Sequence, residues 1–385
     1  MGWQSRFFRD CADLIRDTIQ PDEMPGLPYI GLEHISQGQL SLLGYGKSED
    51  VVSPKSKFRE GDILFGKLRP YFRKVILAPF DGVCSTDIWV VRAKTDIDQK
   101  YLFYWMASED FIEVVSRASE GTKMPRAQWE FATRIQQKVP PLPEQRAIAA
   151  VLGALDDKIE LNRRMNRTLE AIAQAVFRRW FVENEEAEGW EVVKIKDICK
   201  KIENGGTPRR DRPEYWEPGT IPWLTSAEVR QEIIVATENK ISEEGFKNSS
   251  AKMWNRGTTV VALYGATAGK VSFIAQELCA NQACCGLVPD NGLQYFVYLT
   301  LSSAENLLSL QARGSAQQNL SQQIVADFSI RKPDKKRLDE FNYIVMPLFE
   351  KWIANLKESR TLAALRDALL PRLMRGEARV RLLDG

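Results

Sequence analysis

The residues of this chain that are best suited to binding chemistry are basic and aromatic, and the first group is the run KLRPYFRK at residues 67–74. If this run forms a strand, alternate side chains share one face. That face would carry Lys67, Arg69, Tyr71 and Arg73. Pro70 would confine such a strand to a sheet edge. A basic face with an interleaved aromatic suits phosphate and base contacts; the alternative is an edge strand charged against aggregation.

A second basic group, NGGTPRR, occupies residues 204–210. Backbone amides of a glycine loop can bind a phosphate, and arginines can pair with a guanine edge. A plain turn is the alternative. The net charge of +2 does not by itself indicate a polyanionic partner, but residues 55–74 hold seven basic and two acidic residues. Two such clusters together favour nucleic acid.

Residues that could catalyse a reaction are missing from the chain. His34 is its single histidine, so a Ser-His-Asp triad in the second half and any multi-histidine metal site are excluded. The segment 265–270 resembles a phosphate-binding loop but has one residue too few between its glycines, and Val271 stands where Ser or Thr should bind magnesium. We predict no catalytic residue and no metal site.

Two long helices must position these groups, and they are copies of each other. Residues 144–181 and 337–374 align without a gap at an offset of 193. In both copies apolar residues recur at alternating steps of three and four, which predicts a coiled-coil seam. The simplest way to bury both seams is to pack them on each other. A pseudo-two-fold duplication then requires the helices to run antiparallel.

The middle of each predicted helix carries an asparagine on the seam. Asn162 and Asn355 occupy equivalent positions, and an antiparallel pair would bring them close together. A buried asparagine sets the register of a coiled coil at some cost in stability. The alternative is that the middle of the seam is simply more hydrated than its ends.

The segments outside the helices are strand-rich. The apolar run at 61–66 lies between glycines and has a counterpart at 257–262. Short β-type runs are separated by Gly, Pro and Asp turns. The predicted class is therefore α+β, with two similar strand-rich globular domains and two long antiparallel helices. No apolar run approaches a membrane span and no signal peptide is evident, so we expect a cytoplasmic protein. The six cysteines are expected to be buried thiols.

The order of these parts resembles the specificity subunit of type I restriction-modification systems. The resemblance covers nearly the full length and rests on PLPEQR at 141–146, LDDKI at 155–159, NGGTP at 204–208 and the paired RTL at 167–169 and 360–362. The first half departs from the pattern, since TIQP at 18–21 stands where a second glycine loop would be.

The resemblance implies a DNA-reading subunit that is not itself an enzyme. It implies target recognition domains at 1–142 and 184–335, spacer helices at 143–183 and 336–375, and a tail at 376–385. The expected partners are double-stranded DNA, two methyltransferase subunits and, as optional further members, restriction subunits. S-adenosylmethionine, ATP and magnesium are expected only in those partners. The alternatives are a coiled-coil adaptor without sequence-specific DNA binding and a self-sufficient DNA enzyme.

Together the two clusters and their surroundings define the predicted interface. We predict that DNA contacts Lys67, Arg69, Tyr71, Arg73, Lys74, Lys123, Arg126, Thr207, Arg209, Arg210, Tyr264 and Lys270.

Overall fold

The computed structural model describes residues 2–20, 23, 25–117, 124–312 and 319–380. The chain divides into two compact units. Unit 1 comprises Met1–Leu161 and Ser359–Gly385, and unit 2 comprises Asn162–Glu358. Each unit therefore contains one strand-rich domain and half of each long helix. Within the described ranges, no helix combines the length and apolarity that crossing a membrane requires.

The domain of unit 1 is built from short strands and short helices. Its strands are β1 (Gln4–Phe7), β2 (Ala12–Ile15), β3 (Thr18–Ile19), β4 (Pro28–Ile30), β5 (Gly46–Lys47), β6 (Lys55–Phe58), β7 (Ile63–Gly66), β8 (Val75–Leu77), β9 (Gly82–Cys84), β10 (Ile88–Ala93) and β11 (Gln136–Val139). Its helices are α1 (Gln99–Ala107), α2 (Glu109–Arg117) and α3 (Trp129–Ala132). The strands form sheets in the orders β2-β10-β7-β8 and β3-β6-β9-β4-β5, and β1 pairs with β11.

The domain of unit 2 repeats this plan. Its strands are β12 (Val192–Lys194), β13 (Cys199–Asn204), β14 (Ile221–Leu224), β15 (Ile233–Ile234), β16 (Asn239–Ile241), β17 (Thr259–Ala262), β18 (Val271–Ile274), β19 (Cys279–Ala280), β20 (Cys284–Pro289) and β21 (Ser329–Arg331). Its helices are α5 (Glu243–Lys247), α6 (Gln294–Ser303), α7 (Glu305–Gln311) and α8 (Gln322–Ala326). The sheet orders are β13-β20-β17-β18-β15, β16-β14-β19 and β12-β21.

Three strands of the central sheet match between the two units. Strands β7, β8 and β10 begin at residues 63, 75 and 88, and β17, β18 and β20 begin at 259, 271 and 284, a constant offset of 196. The order β10-β7-β8 recurs as β20-β17-β18. The duplication that the helix sequences indicate therefore extends into the sheets.

Both faces of each central sheet are buried, which explains its unbroken apolar strands. In β7, Ile63 and Phe65 join the core formed with the helices, whereas Leu64 joins the core formed with the second sheet. In β17, Val261 packs toward the helices and Val260 toward the second sheet. A strand covered on both sides needs apolar residues at successive positions rather than alternate ones.

The long helices are α4 (Leu142–Phe177) and α9 (Lys335–Met374). A π-helical turn, Arg178–Val182, extends α4. Helix α9 begins at an aspartate cap, where Asp334 Oδ1 accepts from Arg337 N at 2.8 Å. Inside unit 2 the two helix halves run antiparallel, because Asn162 contacts Glu358 whereas Asn166, further along α4, contacts Asn355, which comes earlier in α9. The structure thus has the predicted α+β class with two long antiparallel helices.

The predicted seam lies inward. Ile148 and Leu152 of α4 and Phe341 and Val345 of α9 are fully buried. Both seam asparagines are buried as well, and Asn162 Nδ2 lies 2.8 Å from Glu358 Oε2 and 3.5 Å from the Asn355 carbonyl oxygen. Asn355 Nδ2 donates to Asn166 Oδ1 at 2.9 Å. The two asparagines are therefore close, as an antiparallel pair requires, and their role in setting the register remains a prediction.

The run at 67–74 is not a strand, and that prediction was wrong. Strand β7 ends at Gly66, and a 3₁₀ turn follows at Pro70–Phe72 between left-handed residues at both ends. Left-handed backbone reverses the chain, so the alternating face does not form. We call residues 67–73 the basic turn.

An ion pair between a buried arginine and a half-buried aspartate lies on the seam of unit 1. Arg366 is 1% exposed, and its Nη1 donates to Asp156 Oδ1 at 2.6 Å. Tyr104 of α1 donates to the other oxygen of Asp156 at 2.6 Å. At the helix offset of 193, the equivalents of Asp156 and Arg366 in unit 2 are Phe349 and Ala173.

The tyrosine that meets this layer is retained in unit 2. Tyr298 of α6 contacts the Phe349 ring edge to face, with centroids 5.6 Å apart. One layer is therefore built with two charges in unit 1 and with a large and a small apolar residue in unit 2.

This comparison predicts the stability of two variants. Arg366→Ala leaves half-buried Asp156 without its cation and should lower the free energy of unfolding by about 1–3 kcal/mol. The double variant Asp156→Phe, Arg366→Ala copies the layer of unit 2 and should lose less. Urea denaturation measures both. A double variant less stable than the single one would contradict the equivalence of the layers.

Glu170 on α4 is a partly buried carboxylate without a cation of its own. Burial raises its pKa, and together with the charges of Glu232 and Glu305 it brings the pKa to about 7. Gln174 Nε2 donates to its Oε1 at 3.0 Å. The folded state therefore holds this proton more tightly than the unfolded chain does. The favourable effect is complete below about pH 4.5, the unfolded pKa, and is lost as the pH rises through about 7.

We predict that Glu170→Gln stabilises the protein at alkaline pH alone. The gain should be roughly 1–2 kcal/mol near pH 8 and close to zero near pH 5. Urea denaturation at both values gives the comparison, with exposed Glu183→Gln as the control. An equal effect at both values would show that ionisation of Glu170 is not the cause.

Candidate nucleic-acid interface

The basic turn of unit 1 is fixed by backbone hydrogen bonds to two neighbouring segments. Lys67 N donates to the Asp87 carbonyl at 2.9 Å, and Arg69 N donates to the Pro125 carbonyl at 2.8 Å. Ala127 N donates back to the Lys67 carbonyl at 2.8 Å. These bonds hold the start of the turn, so its side chains project from a rigid base rather than from a free loop.

Both ends of the turn adopt a backbone that arginine rarely adopts. Arg69 has φ 51° and Arg73 has φ 48°, in the left-handed region. At the sheet offset of 196, their equivalents in unit 2 are Gly265 and Gly269, which have φ 78° and 86°. The same turn therefore exists twice, once with arginine and once with glycine. A left-handed residue other than glycine costs about 1–2 kcal/mol, so the arginine side chains have a use that offsets this cost.

The exposed side chains of the turn form one surface. Arg69 is exposed and lies over the Phe72 ring at 5.9 Å. Tyr71 is 53% exposed. Arg126 joins them through a backbone bridge to Leu68, and its Nε donates to Asp87 Oδ1 at 3.1 Å. Half-buried Lys67 begins the turn. Cations flanking an exposed aromatic ring suit phosphate and base contacts.

Two further predicted residues point at the protein itself. Arg73 Nη2 lies 3.3 Å from Asp367 Oδ1, and burial lowers the pKa of this guanidinium. Lys74 Nζ donates to the Leu32 carbonyl at 2.6 Å, and burial likewise lowers its pKa. Their assignment as DNA contacts is the weaker part of the predicted set. Lys123 lies outside the described residues.

In unit 2 the two glycine amides of the glycine loop, residues 204–210, are not free. Gly205 N donates to the Cys284 carbonyl at 3.0 Å and Gly206 N to the Ala280 carbonyl at 2.8 Å. A Cβ on Gly205 would lie 2.3 Å from the Ala280 oxygen. The glycines are there because the backbone passes too close for a side chain, so the expected phosphate contact by their amides was wrong.

The end of the glycine loop carries the exposed cations. Arg210 stacks on the Trp216 ring at 3.8 Å and lies 5.2 Å from the Trp223 ring. The indole of Trp216 donates to the Arg209 carbonyl at 3.1 Å, and that of Trp223 donates to the Gly206 carbonyl at 3.0 Å. The two tryptophans therefore hold both the loop and the guanidinium. Stacking orders an arginine while leaving its donors available.

The remaining predicted residues of unit 2 are not all in this loop. Thr207 hydrogen-bonds Gln282, and Arg209 pairs with Asp211 at 2.6 Å. Tyr264, 41% exposed, occupies the position that Leu68 has in unit 1. Lys270 pairs with Glu305 of α7 at 2.8 Å. Thus Thr207, Arg209 and Arg210 share one loop, and Tyr264 and Lys270 flank the equivalent of the basic turn.

Several residues of this arrangement were missed in the sequence. Trp216 and Trp223 follow the glycine loop within a few positions, and their proximity to two arginines was an available signal. Arg366 interrupts the apolar pattern of α9 between Leu362 and Leu369. An arginine in that frame was the available sign of the ion pair. The one available sign that Arg69 and Arg73 are left-handed was the presence of Gly265 and Gly269 at the equivalent positions of unit 2.

Comparison with known proteins identifies the family. The model of the type I restriction modification DNA specificity domain matches residues 3–171 and again 187–359. The chain belongs to this family. DNA sequence recognition is thereby the function of the chain, and the two matches correspond to the two halves of the duplication.

Individual relatives agree with this membership. The MjaIX specificity subunit of Methanocaldococcus jannaschii is 28% identical over 94% of this chain and 86% of its own length. The HindI specificity subunit of Haemophilus influenzae is 25% identical over 97% of this chain and 99% of its own. The S subunit from M. genitalium shares the fold, with a TM-score of 0.60 at 16% identity over 97% of this chain and 96% of that one.

The exposed cations of the basic turn give a direct test. Replacing Lys67 and Arg69 with Ala should weaken DNA binding, because two phosphate contacts are lost. The slope of log affinity against log salt should become shallower by about 0.9 for each lost contact. Binding titrations over a range of salt measure the slope. The exposed Lys100→Ala removes a cation away from the turn and should leave the slope unchanged; an equal change in both proteins would refute the assignment.

Proposed function

We propose that each unit reads one half of a bipartite, asymmetric DNA site. The observation that carries the proposal is the duplicated turn. A turn with left-handed residues at two equivalent positions is present in both units, with Arg69 and Arg73 in one and Gly265 and Gly269 in the other. Equivalent frames with different side chains suit two different half-sites, since base contacts depend on side chains and phosphate contacts on general charge.

The exposed residues that could contact DNA also differ between the two units. Unit 1 presents Arg69, Tyr71 and Arg126, and unit 2 presents Arg209 and a stacked Arg210. Arginine is the side chain most suited to bidentate contact with guanine. These residues are the ones that we propose contact bases or phosphates. Lys67, Thr207 and Tyr264 lie beside them.

We further propose that the chain acts with separate enzyme subunits. Its relatives are named specificity subunits of type I restriction enzymes. In the proposed assembly two methyltransferase subunits bind S-adenosylmethionine, and restriction subunits use ATP and magnesium. The chain supplies the DNA sequence to which they are directed.

The long helices offer surface for those enzyme subunits. Tyr343 of α9 is 81% exposed and Met346 is 49% exposed in unit 2. In unit 1, Val151 and Leu161 of α4 are also exposed. Apolar side chains at the surface of a helix suit a protein partner better than DNA. Because each unit contains a pair of helix halves, we propose one methyltransferase for each unit.

Exchange of one domain tests independent reading. Replacing residues 190–333 with the corresponding domain of a relative should change one half of the methylated motif and preserve the other. Sequencing of methylated DNA from cells that contain the chimaera and its methyltransferase gives both halves in one measurement. A reciprocal exchange of residues 4–139 is the matched control. Simultaneous change of both halves in either chimaera would contradict independent reading.

A further inference from the structure

Arg73 differs from the other cations of the basic turn in its surroundings. Its side chain is 22% exposed, and Nη2 lies 3.3 Å from Asp367 Oδ1 on α9. The partner carboxylate belongs to the long helix, not to the strand-rich domain. The pair therefore links the end of the turn to the helix of unit 1.

Asp367 is itself held in place. Arg366 Nη2 donates to Asp367 Oδ1 at 3.1 Å, while Arg366 Nη1 donates to the buried face of Asp156 at 2.6 Å. Asp156 accepts in turn from Tyr104. The carboxylate that meets Arg73 thus belongs to a network that joins α1, α4 and α9. A fixed carboxylate can orient a guanidinium, whereas a mobile surface carboxylate contributes little.

A second path connects the same helix positions to the turn. Arg366 Nη1 lies 3.4 Å from the Gln39 carbonyl, and Gly38 N donates to the Phe72 carbonyl at 3.1 Å. The two paths start at adjacent residues of α9 and end at Phe72 and Arg73, which are adjacent in the turn. They close a ring, so the far end of the turn is attached to the helix at two points.

Among the described residues of unit 2, no hydrogen bond joins the equivalent turn to a long helix. The equivalents of Arg73, Asp367 and Arg366 are Gly269, Gln174 and Ala173, by the offsets of 196 and 193. Its turn is held from α7 instead. Ser309 Oγ donates to the Ala268 carbonyl at 3.1 Å, and Val271 N donates to Glu305 Oε1 at 3.0 Å. The link to the long helix is therefore a property of unit 1 and not a requirement of the fold.

We propose that Arg73 is a positioning residue that ties the basic turn to α9 through Asp367, and that this tie orients Arg69 and Tyr71 toward DNA. The proposal rests on the proposed reading of a half-site by this turn. Its physical reason is that a left-handed arginine is retained where glycine suffices for the backbone. The gain that offsets the strain is the bond to Asp367.

A positioning role and a DNA contact predict opposite effects of neutralising Asp367. If Arg73 contacts DNA, Asp367→Asn removes a competing anion and should strengthen binding. If Arg73 positions the turn, the same change cuts the tie and should weaken binding about two- to fivefold, the range for a partly exposed ion pair. Exposed Asp157→Asn on α4 makes the same change in charge and controls for it.

Two glycine variants separate the roles of the two arginines. Arg69→Gly and Arg73→Gly each remove one cation and each copy the residue of unit 2. Arg69→Gly should make the salt slope shallower by about 0.9. Arg73→Gly should weaken binding with the slope unchanged, and adding Asp367→Asn to it should have no further effect. These titrations use the full chain assembled with its methyltransferase and a duplex carrying its methylated motif.

Amide hydrogen exchange gives a readout that needs no DNA. Asp367→Asn should speed exchange at the amides of Gly38 and Arg73 about two- to fivefold and leave the amides of Lys67 and Arg69 unchanged. Tighter binding by Asp367→Asn, a shallower slope for Arg73→Gly, or unchanged exchange at Gly38 and Arg73 would each overturn the proposal. Failure of the wild-type complex to prefer its motif would instead overturn the proposed function. The exchange result would still test whether Asp367 holds the basic turn to α9.

Discussion

Burial of the helix seam is the constraint on which the rest of the structure depends. Each long helix exposes an apolar stripe that is unstable in water until another helix covers it. The duplication provides that cover within one chain, since α4 and α9 carry the same stripe. Once the seam forms, each unit has a helix pair against which its central sheet packs. That sheet then carries the loops and turns proposed to meet DNA, so recognition depends on the packing of the helices beneath it.

The two units solve the same packing problem with different chemistry. In unit 1 the Asp156–Arg366 pair joins Tyr104 of the domain to the helices, whereas in unit 2 Phe349 contacts Tyr298 in an apolar layer. A buried ion pair is rarely more stable than its apolar equivalent. In unit 1 the pair has a positioning role, because it also orients Asp367 and, through Asp367, the basic turn. Unit 2, which holds its turn from α7, has no need of it.

The helices and the class of the domains could be predicted because they follow from periodic burial, which sequence displays directly. The gap-free repeat gave the antiparallel pair, and apolar runs between glycines gave β7 and β17. The basic turn was misread as a strand because an alternating pattern of basic residues fits a strand as well as a 3₁₀ turn. Left-handed arginines have no signature of their own. Only the glycines at 265 and 269, compared position by position, could have exposed them. The ion pair was not predicted because a single charged residue in a seam resembles an interruption of the apolar pattern.

The duplicated turn also bears on how such a chain can change. Gly265 and Gly269 occupy the left-handed positions that Arg69 and Arg73 occupy in unit 1, so a left-handed backbone at these positions does not require an arginine. A substitution there alters the reading surface while the sheet beneath it stays intact. Most binding loops must be refolded to acquire a new preference. In this turn a single substitution can add or remove a side chain that faces DNA. Such changes can occur independently in the two units of one chain.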